Sequence, residues 1–134
     1  MKKLLLILIL SSSLYSKQLH KERYYQEYFC KDGIIEYGLP DRTRVDCFTK
    51  DYAIEVDFAY KWAEAIGQCL YYASMTNKNP GIVIIIEKEK DKRHLYKILE
   101  IANRLEIKIW TIDSNLTIEH INYPHYYLKL FSED

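Results

Sequence analysis

The stretch that decides the fold is YAIEVDFAYKWAEAIGQCLYYASMTNKNPGIVIII, residues 52–86. Its first part, residues 52–58, alternates apolar and other side chains with a period of two, which predicts a β-strand. Over residues 59–75 the period becomes that of a helix. The apolar stripe of this helix consists of Trp62, Ile66, Cys69 and Ala73. Residues 82–86 then form a continuous apolar run, which is typical of a central strand covered on both faces.

The segments before this stretch predict a helix and an antiparallel meander. Residues 18–30 carry Leu19, Tyr24, Tyr28 and Phe29 loosely at helical spacing, so we expect a first helix that ends near Gly33. Two short strands are predicted at residues 34–39 and 43–49, and tight turns at 40–41 and 50–51 would connect them to the strand at 52–58.

The segments after it predict a further helix and strand. Asp91 is a candidate cap for a helix whose inward side chains are Leu95, Ile98, Leu99 and Ala102. A strand follows at residues 107–112, so residues 82–112 predict a right-handed parallel crossover. Residues 116–121 are a candidate strand in the tail. The fold class is therefore an α/β sandwich with a mixed sheet, in the order helix, three antiparallel strands, helix, strand, helix, strand.

The N-terminus has the pattern of a secretory signal peptide over residues 1–16. Lys2 and Lys3 precede an apolar run at residues 4–10, and small residues follow, with cleavage expected after Ser13 or Ser16. The alternative is a buried N-terminal strand. Residues 17–134 remain as a single domain, which we expect to be periplasmic or secreted. The whole chain has 19 basic and 19 acidic residues, so its bulk charge does not indicate a nucleic-acid-binding protein.

The three cysteines fit an oxidising compartment, in which one pair would be bridged. Cys30 and Cys47 are the preferred pair, because Cys69 lies on the apolar stripe of the second predicted helix. Zinc is a weaker interpretation, since no two cysteines have the short spacing of zinc ligands.

Carboxylates gather around the strand at residues 52–58. Glu55 and Asp57 point to the same face, and Asp46 on the preceding strand could face them across the hairpin. Three acidic oxygen donors suit Mg²⁺ or Mn²⁺. Lys61, Gln68 and Tyr72 form a second stripe on the following helix, and a lysine there could stabilise a phosphodiester transition state. The alternative is a solvated strand edge with a surface ion pair.

These residues resemble the PD-(D/E)xK nuclease superfamily. Asp46 followed by Ile54-Glu55-Val56-Asp57 resembles its acidic motif, and Gln68 with Tyr72 resembles the Gln-x-x-x-Tyr helix motif of the RecB-like branch. The resemblance covers roughly residues 20–112. It implies a restriction-endonuclease-like fold and a divalent-metal-dependent nuclease acting on nucleic acid, with DNA as the expected substrate.

The resemblance also implies roles for individual residues. Asp46 and Glu55 would be metal ligands with help from Asp57, Gln68 and Tyr72 would position the substrate or the site, and Glu36 resembles an additional acidic residue found upstream in many members. Asp57 stands where the superfamily has its lysine, and Lys61 would take over that function. The sequence is also similar to small exported bacterial proteins that carry the same segments around Asp46 and Glu55. The competing hypothesis is a non-catalytic binding or interaction module that keeps the nuclease fold.

Overall fold

The computed structural model describes residues 17–122, in which a helix and three consecutive strands precede two further helix–strand units and a last strand. The α-helices are α1 (Glu22–Phe29), α2 (Trp62–Thr76) and α3 (Lys92–Arg104), and the strands are β1 (Ile34–Gly38), β2 (Arg44–Phe48), β3 (Tyr52–Phe58), β4 (Asn79–Ile86), β5 (Lys108–Asp113) and β6 (Ile118–His120). The predicted α/β class with a mixed sheet is confirmed. The predicted signal peptide and the end of the tail lie outside the described residues.

The six strands form one sheet in the order β1-β2-β3-β4-β5-β6. The pairs β1–β2, β2–β3 and β5–β6 are antiparallel, whereas β3–β4 and β4–β5 are parallel. β3 pairs with β4 along its whole length, from Tyr52–Asn79 to Phe58–Ile85. By contrast, β2 pairs with β3 only at Cys47–Ile54 and Phe48–Ala53. We call the place beyond Ile54, where this pairing stops, the splay.

The core has two main parts that meet β4 from opposite sides. Ile82 and Ile84 pack with apolar residues of α2 and α3, among them Cys69, Leu95, Ile98 and Leu99. Val83 and Ile85 pack in a second cluster with Tyr25 of α1. Alternate side chains of a strand point to opposite faces, so β4 is covered on both faces, as its continuous apolar run predicts.

The residues whose spacing predicted α1 do not all form its inward face. Tyr24 and Tyr28 are each 41 % exposed, whereas Tyr25 and Gln26 are buried. The Tyr25 ring packs edge-on against Phe58, and its hydroxyl donates a hydrogen bond of 2.6 Å to Glu87. A tyrosine suits either environment, so the spacing of apolar side chains did not identify this face.

Two local predictions are wrong in detail. β4 begins at Asn79, earlier than residue 82, because Asn77 ends α2 in the left-handed conformation (φ 53°) and Asn79 N–H donates to the carbonyl of Asp51. Asp91 does occupy the N-cap position of α3, but its side chain makes no capping hydrogen bond to that helix. Its carboxylate accepts hydrogen bonds of 3.0 Å from the backbone N–H groups of Glu87 and Lys88, and so closes the 3-10 turn Glu89–Asp91 instead.

The predicted disulfide is present between Cys30 and Cys47, and Cys69 is a buried free thiol. The bridge joins the end of α1 to β2, next to Asp46. No helix within residues 17–122 combines the length and the apolar character needed to cross a membrane.

Candidate functional site

At the splay, backbone N–H groups of β3 are bonded by carboxylates. Val56 N–H donates to Asp46 Oδ2 at 2.8 Å, and Phe58 N–H donates to Asp57 Oδ1 at 3.1 Å. Buried N–H groups need acceptors, and these two find a side chain where a neighbouring strand would supply a carbonyl. The sheet therefore opens here because two aspartates take the place of ladder partners. We call Asp46, Glu55 and Asp57 the acidic cluster.

Glu55 lies between the two aspartates in sequence and is 6 % exposed. A side-chain hydrogen bond links it to Asp46, while its buried Oε2 has no hydrogen-bond partner among residues 17–122. Burial, followed by the charges of Asp46 and Asp57, raises the pKa of Glu55 from its ordinary value of 4.5 to about 10. Near pH 7 this carboxyl therefore keeps its proton.

The pKa values of the two aspartates are raised as well. Burial raises the pKa of Asp46 to about 6, although the hydrogen bond from Val56 opposes the shift. Burial and the neighbouring charge of Glu22 raise the pKa of Asp57 to about 7, and Lys61 opposes that shift. Like charges that cannot all be solvated take up protons, so the acidic cluster carries less than its full negative charge near pH 7.

Lys61 reaches the acidic cluster through Asp57. It ends the 3-10 helix Ala59–Lys61 that follows β3, and its Nζ lies 3.7 Å from Asp57 Oδ1. The side chain of Lys61 is 39 % exposed, so the ammonium faces solvent as well as the carboxylate. Burial works to lower the pKa of Lys61, but the charge of Asp57 and smaller acidic contributions raise it above its ordinary value. Lys61 is a permanent cation at the rim of the cluster.

The two helix residues of the Gln-x-x-x-Tyr pattern have different environments. Tyr72 is buried and packs with Leu39, Val45 and Ala53. Burial, followed by the charges of Glu55 and Asp46, raises the pKa of Tyr72 to about 12. Gln68 lies one turn earlier on α2 and is half-buried, and its side chain makes no hydrogen bond to another of residues 17–122.

α1 adds two polar residues that the sequence analysis missed. The Gln26 side-chain amide donates hydrogen bonds of 2.9 Å to Glu36 Oε1 and to the backbone carbonyl of Asp46. Glu22 forms a side-chain hydrogen bond with Asp57, and its charge also raises the pKa of Asp46 and Glu55. Their four-residue spacing, which puts both on one face of a helix, is the signal that could have found them.

The donor set suits a hard divalent cation, because every titratable group of the acidic cluster is a carboxyl. Within residues 17–122, however, no three His, Cys, Asp or Glu side chains are arranged so that they could hold a metal ion together. At most two carboxylates would therefore bind one cation directly. This number is ordinary for Mg²⁺, which usually keeps several water ligands.

No family model, curated protein or solved structure matches the chain. Its function therefore has to be inferred from the residues at the splay.

Proposed function

We propose that the protein is an exported, divalent-metal-dependent nuclease-like domain that hydrolyses phosphodiester bonds, with DNA as its substrate. The observation that carries this proposal is the buried Glu55 Oε2, which lacks a hydrogen-bond donor in a cluster of three carboxyls. An unsatisfied buried carboxylate oxygen is costly, and a bound cation would remove that cost. A proton on Glu55 serves the same purpose while no cation is bound.

Asp46 and Glu55 would hold Mg²⁺ or Mn²⁺ as the two side-chain ligands. Once bound, a divalent cation supplies Lewis-acid activation of a phosphodiester and stabilises the charge that develops during its hydrolysis. Asp57 is occupied by Lys61 and by Phe58 N–H, so it would act mainly on the local charge. Glu36, whose carboxylate is bonded to Gln26, remains a candidate for a further ligand.

Lys61 and α2 would act on the substrate. The Lys61 ammonium is exposed enough to exchange Asp57 for a phosphate oxygen, and a cation at that place stabilises an anionic transition state. The Gln68 side-chain amide has no hydrogen-bond partner among residues 17–122, so it could hydrogen-bond a nucleic-acid strand. Tyr72 is buried against Val45 and Ala53 of β2 and β3, so it would hold the site rather than the nucleic-acid strand.

Cleavage of DNA by the purified protein, with Mg²⁺ or Mn²⁺ and with EDTA, tests the proposal. We expect cleavage only with metal. The cleavage rate should fall by at least about 100-fold in the Asp46→Asn and Glu55→Gln variants. Asp51→Asn and Glu119→Gln make the same chemical changes at exposed positions and should leave cleavage unchanged. Activity that survives both site substitutions would refute the proposal.

A second candidate is a non-catalytic binding module with the same fold. This candidate is favoured because the polar groups of the cluster already have structural partners. Asp46 and Asp57 accept hydrogen bonds from backbone N–H groups of β3, and Lys61 forms an ion pair with Asp57. This candidate predicts no cleavage with either metal, together with a large loss of stability in Asp46→Ala, which removes the acceptor of a buried N–H group. Metal-dependent cleavage by the unmodified protein would exclude it.

A further inference from the structure

We propose that the exposed ring of Tyr60 stacks on a nucleobase beside the acidic cluster, so that the site takes single-stranded DNA. The inference rests on the proposed function, because it names the form of the substrate at the same site. Tyr60 is 56 % exposed and lies in the 3-10 helix Ala59–Lys61 that follows β3. Single exposed apolar side chains are common on protein surfaces. Tyr60 differs from them in the groups that surround its ring.

The Tyr60 ring is held by two contacts although it faces solvent. It lies nearly parallel to the ring of Phe58, with 16° between the planes and 6.2 Å between the centroids. Phe58 is buried, so this contact ties the exposed ring to the end of β3. The Tyr60 hydroxyl accepts a hydrogen bond of 3.4 Å from the side-chain amide of Gln18. A ring that is already held loses little conformational freedom when a base stacks on it.

Lys61 connects the Tyr60 ring to the acidic cluster. Its Nζ lies over the ring, 5.9 Å from the centroid, and 3.7 Å from Asp57 Oδ1. In the proposed function this ammonium binds a phosphate oxygen. A nucleotide carries its base one sugar away from its phosphate, so a phosphate at Lys61 brings a neighbouring base to the Tyr60 ring. A cation beside an aromatic ring is the combination with which many proteins hold single strands.

The stack favours a single strand over a duplex. In a duplex each base is paired and lies between its neighbours, so its face is not available to a protein ring. A single strand offers that face, and stacking tolerates any sequence because every base has a π-face. Stacking also needs no net positive charge, which suits a chain with 19 basic and 19 acidic residues. We therefore expect a preference for single strands with little preference among bases.

Titration of single-stranded oligonucleotides that contain 2-aminopurine tests the stack, because the fluorescence of this base falls when it stacks on a ring. EDTA is present, so that the proposed cleavage does not occur. The unmodified protein should quench the fluorescence and bind the single strand more tightly than a blunt duplex of the same sequence. Tyr60→Ala should lose the quenching and weaken binding by roughly 5–150-fold. Tyr60→Phe keeps the ring and should preserve both.

Tyr28→Ala is the matched control. Tyr28 is 41 % exposed and has Lys31 Nζ 5.6 Å from its ring centroid, but Lys31 forms no ion pair with a carboxylate among residues 17–122. This substitution removes a similar ring and lysine pair that lacks the acidic cluster, so single-strand affinity should not change.

The salt dependence of binding separates the ring from the lysine. Lys61→Met should reduce the slope of log affinity against log salt by about 0.7, the value for one phosphate of a single strand. Tyr60→Ala should leave the slope unchanged, because stacking releases no counterion. A reduced slope in Tyr60→Ala would mean that the substitution had displaced Lys61, and it would overturn the inference.

The inference would also be overturned by equal quenching with Tyr60→Ala, by equal affinity for duplex and single strand, or by an equal loss in Tyr28→Ala. Absence of single-strand binding by the unmodified protein would overturn it as well. Cleavage is measured separately with Mg²⁺ or Mn²⁺. Stacking on Tyr60 without cleavage would refute only the nuclease activity, and cleavage without stacking would refute only the assignment of Tyr60.

Discussion

At the scale of single residues, the decisive feature is a carboxyl group that the fold keeps protonated. Glu55 is 6 % exposed and next to two other carboxyls, and its pKa is raised to about 10. A perturbed carboxyl of this kind in a cluster is a common feature of functional sites. The same burial also makes Glu55 a source of instability at neutral and alkaline pH, and this effect can be measured without knowing any substrate.

Replacement of Glu55 by glutamine should stabilise the metal-free protein at pH 8 by roughly 4–5 kcal/mol, since pH 8 lies about 3.5 units above the ordinary pKa of 4.5 and each unit is worth about 1.4 kcal/mol. Because the folded chain binds the Glu55 proton more tightly than the unfolded chain, the stabilisation from this group is complete below pH 4.5 and is lost as the pH rises toward a pKa of about 10. Glutamine has no proton to lose. Urea unfolding in EDTA from pH 5 to pH 9 should show a falling free energy of unfolding for the unmodified protein and a flatter profile for Glu55→Gln.

The matched control is Glu119→Gln on β6, where the glutamate is exposed. Its profile should follow that of the unmodified protein. If Glu55→Gln followed the same profile as well, Glu55 would have an ordinary pKa and the electrostatic account of the cluster would be wrong.

At the scale of elements, glycines distinguish the tightly packed junction of α1 and β2 from the open surface of α2. A Cβ at Gly33 would lie 2.9 Å from the Sγ of Cys30 and 3.0 Å from the carbonyl of Phe48, whereas a Cβ at Gly67 meets nothing within 4 Å. Neither glycine has a positive φ. The two sites therefore differ in the space around them rather than in backbone strain.

Gly67→Ala should raise the free energy of unfolding by about 0.5–1 kcal/mol, because alanine is the better helix former and restricts the unfolded chain. Gly33→Ala should lower it, since the disulfide or the backbone of Phe48 would have to move. Denaturant unfolding of both variants checks the pair. A stabilised Gly33→Ala would show that the junction of α1 and β2 is looser than described.

The elements around the site could be predicted from the sequence to different degrees. β3, α2 and the burial of β4 on both faces follow from periodicity, and the positions of Glu55 and Lys61 relative to Asp57 follow from local geometry. Gln26 and Glu22 could not be found from the apolar periodicity, and only their four-residue spacing on α1 marks them as a pair. Their function depends on how α1 packs against the sheet, and a buried polar side chain adds nothing to an apolar pattern.

At the scale of the whole molecule, the chain combines an oxidised bridge with the N-terminal pattern of an exported protein. A disulfide persists in oxidising compartments and is rare in the cytosol. The bridge Cys30–Cys47 also fastens α1 to the strand that carries Asp46. The proposed export and the bridge are therefore linked, because an oxidising compartment lets the disulfide hold α1 against β2.

The intact mass of the protein recovered from the periplasm or the medium tests this link. We expect a chain that begins at Leu14 or Lys17, with a mass lower by two hydrogens than that of the reduced form, since Cys30 and Cys47 are bridged and Cys69 is free. Recovery of the full-length chain from the cytosol with three free thiols would contradict both the proposed export and the Cys30–Cys47 disulfide.

The central claim is that the acidic cluster binds a divalent cation through Asp46 and Glu55, and Mn²⁺ titration of the purified protein tests it most directly. We predict one Mn²⁺ per chain, with an affinity that increases from pH 6 to pH 9 because the cation must displace the proton on Glu55. Glu55→Gln should abolish most of this binding, and Glu119→Gln should preserve it. No bound Mn²⁺ at pH 9, or equal binding by Glu55→Gln, would contradict the account.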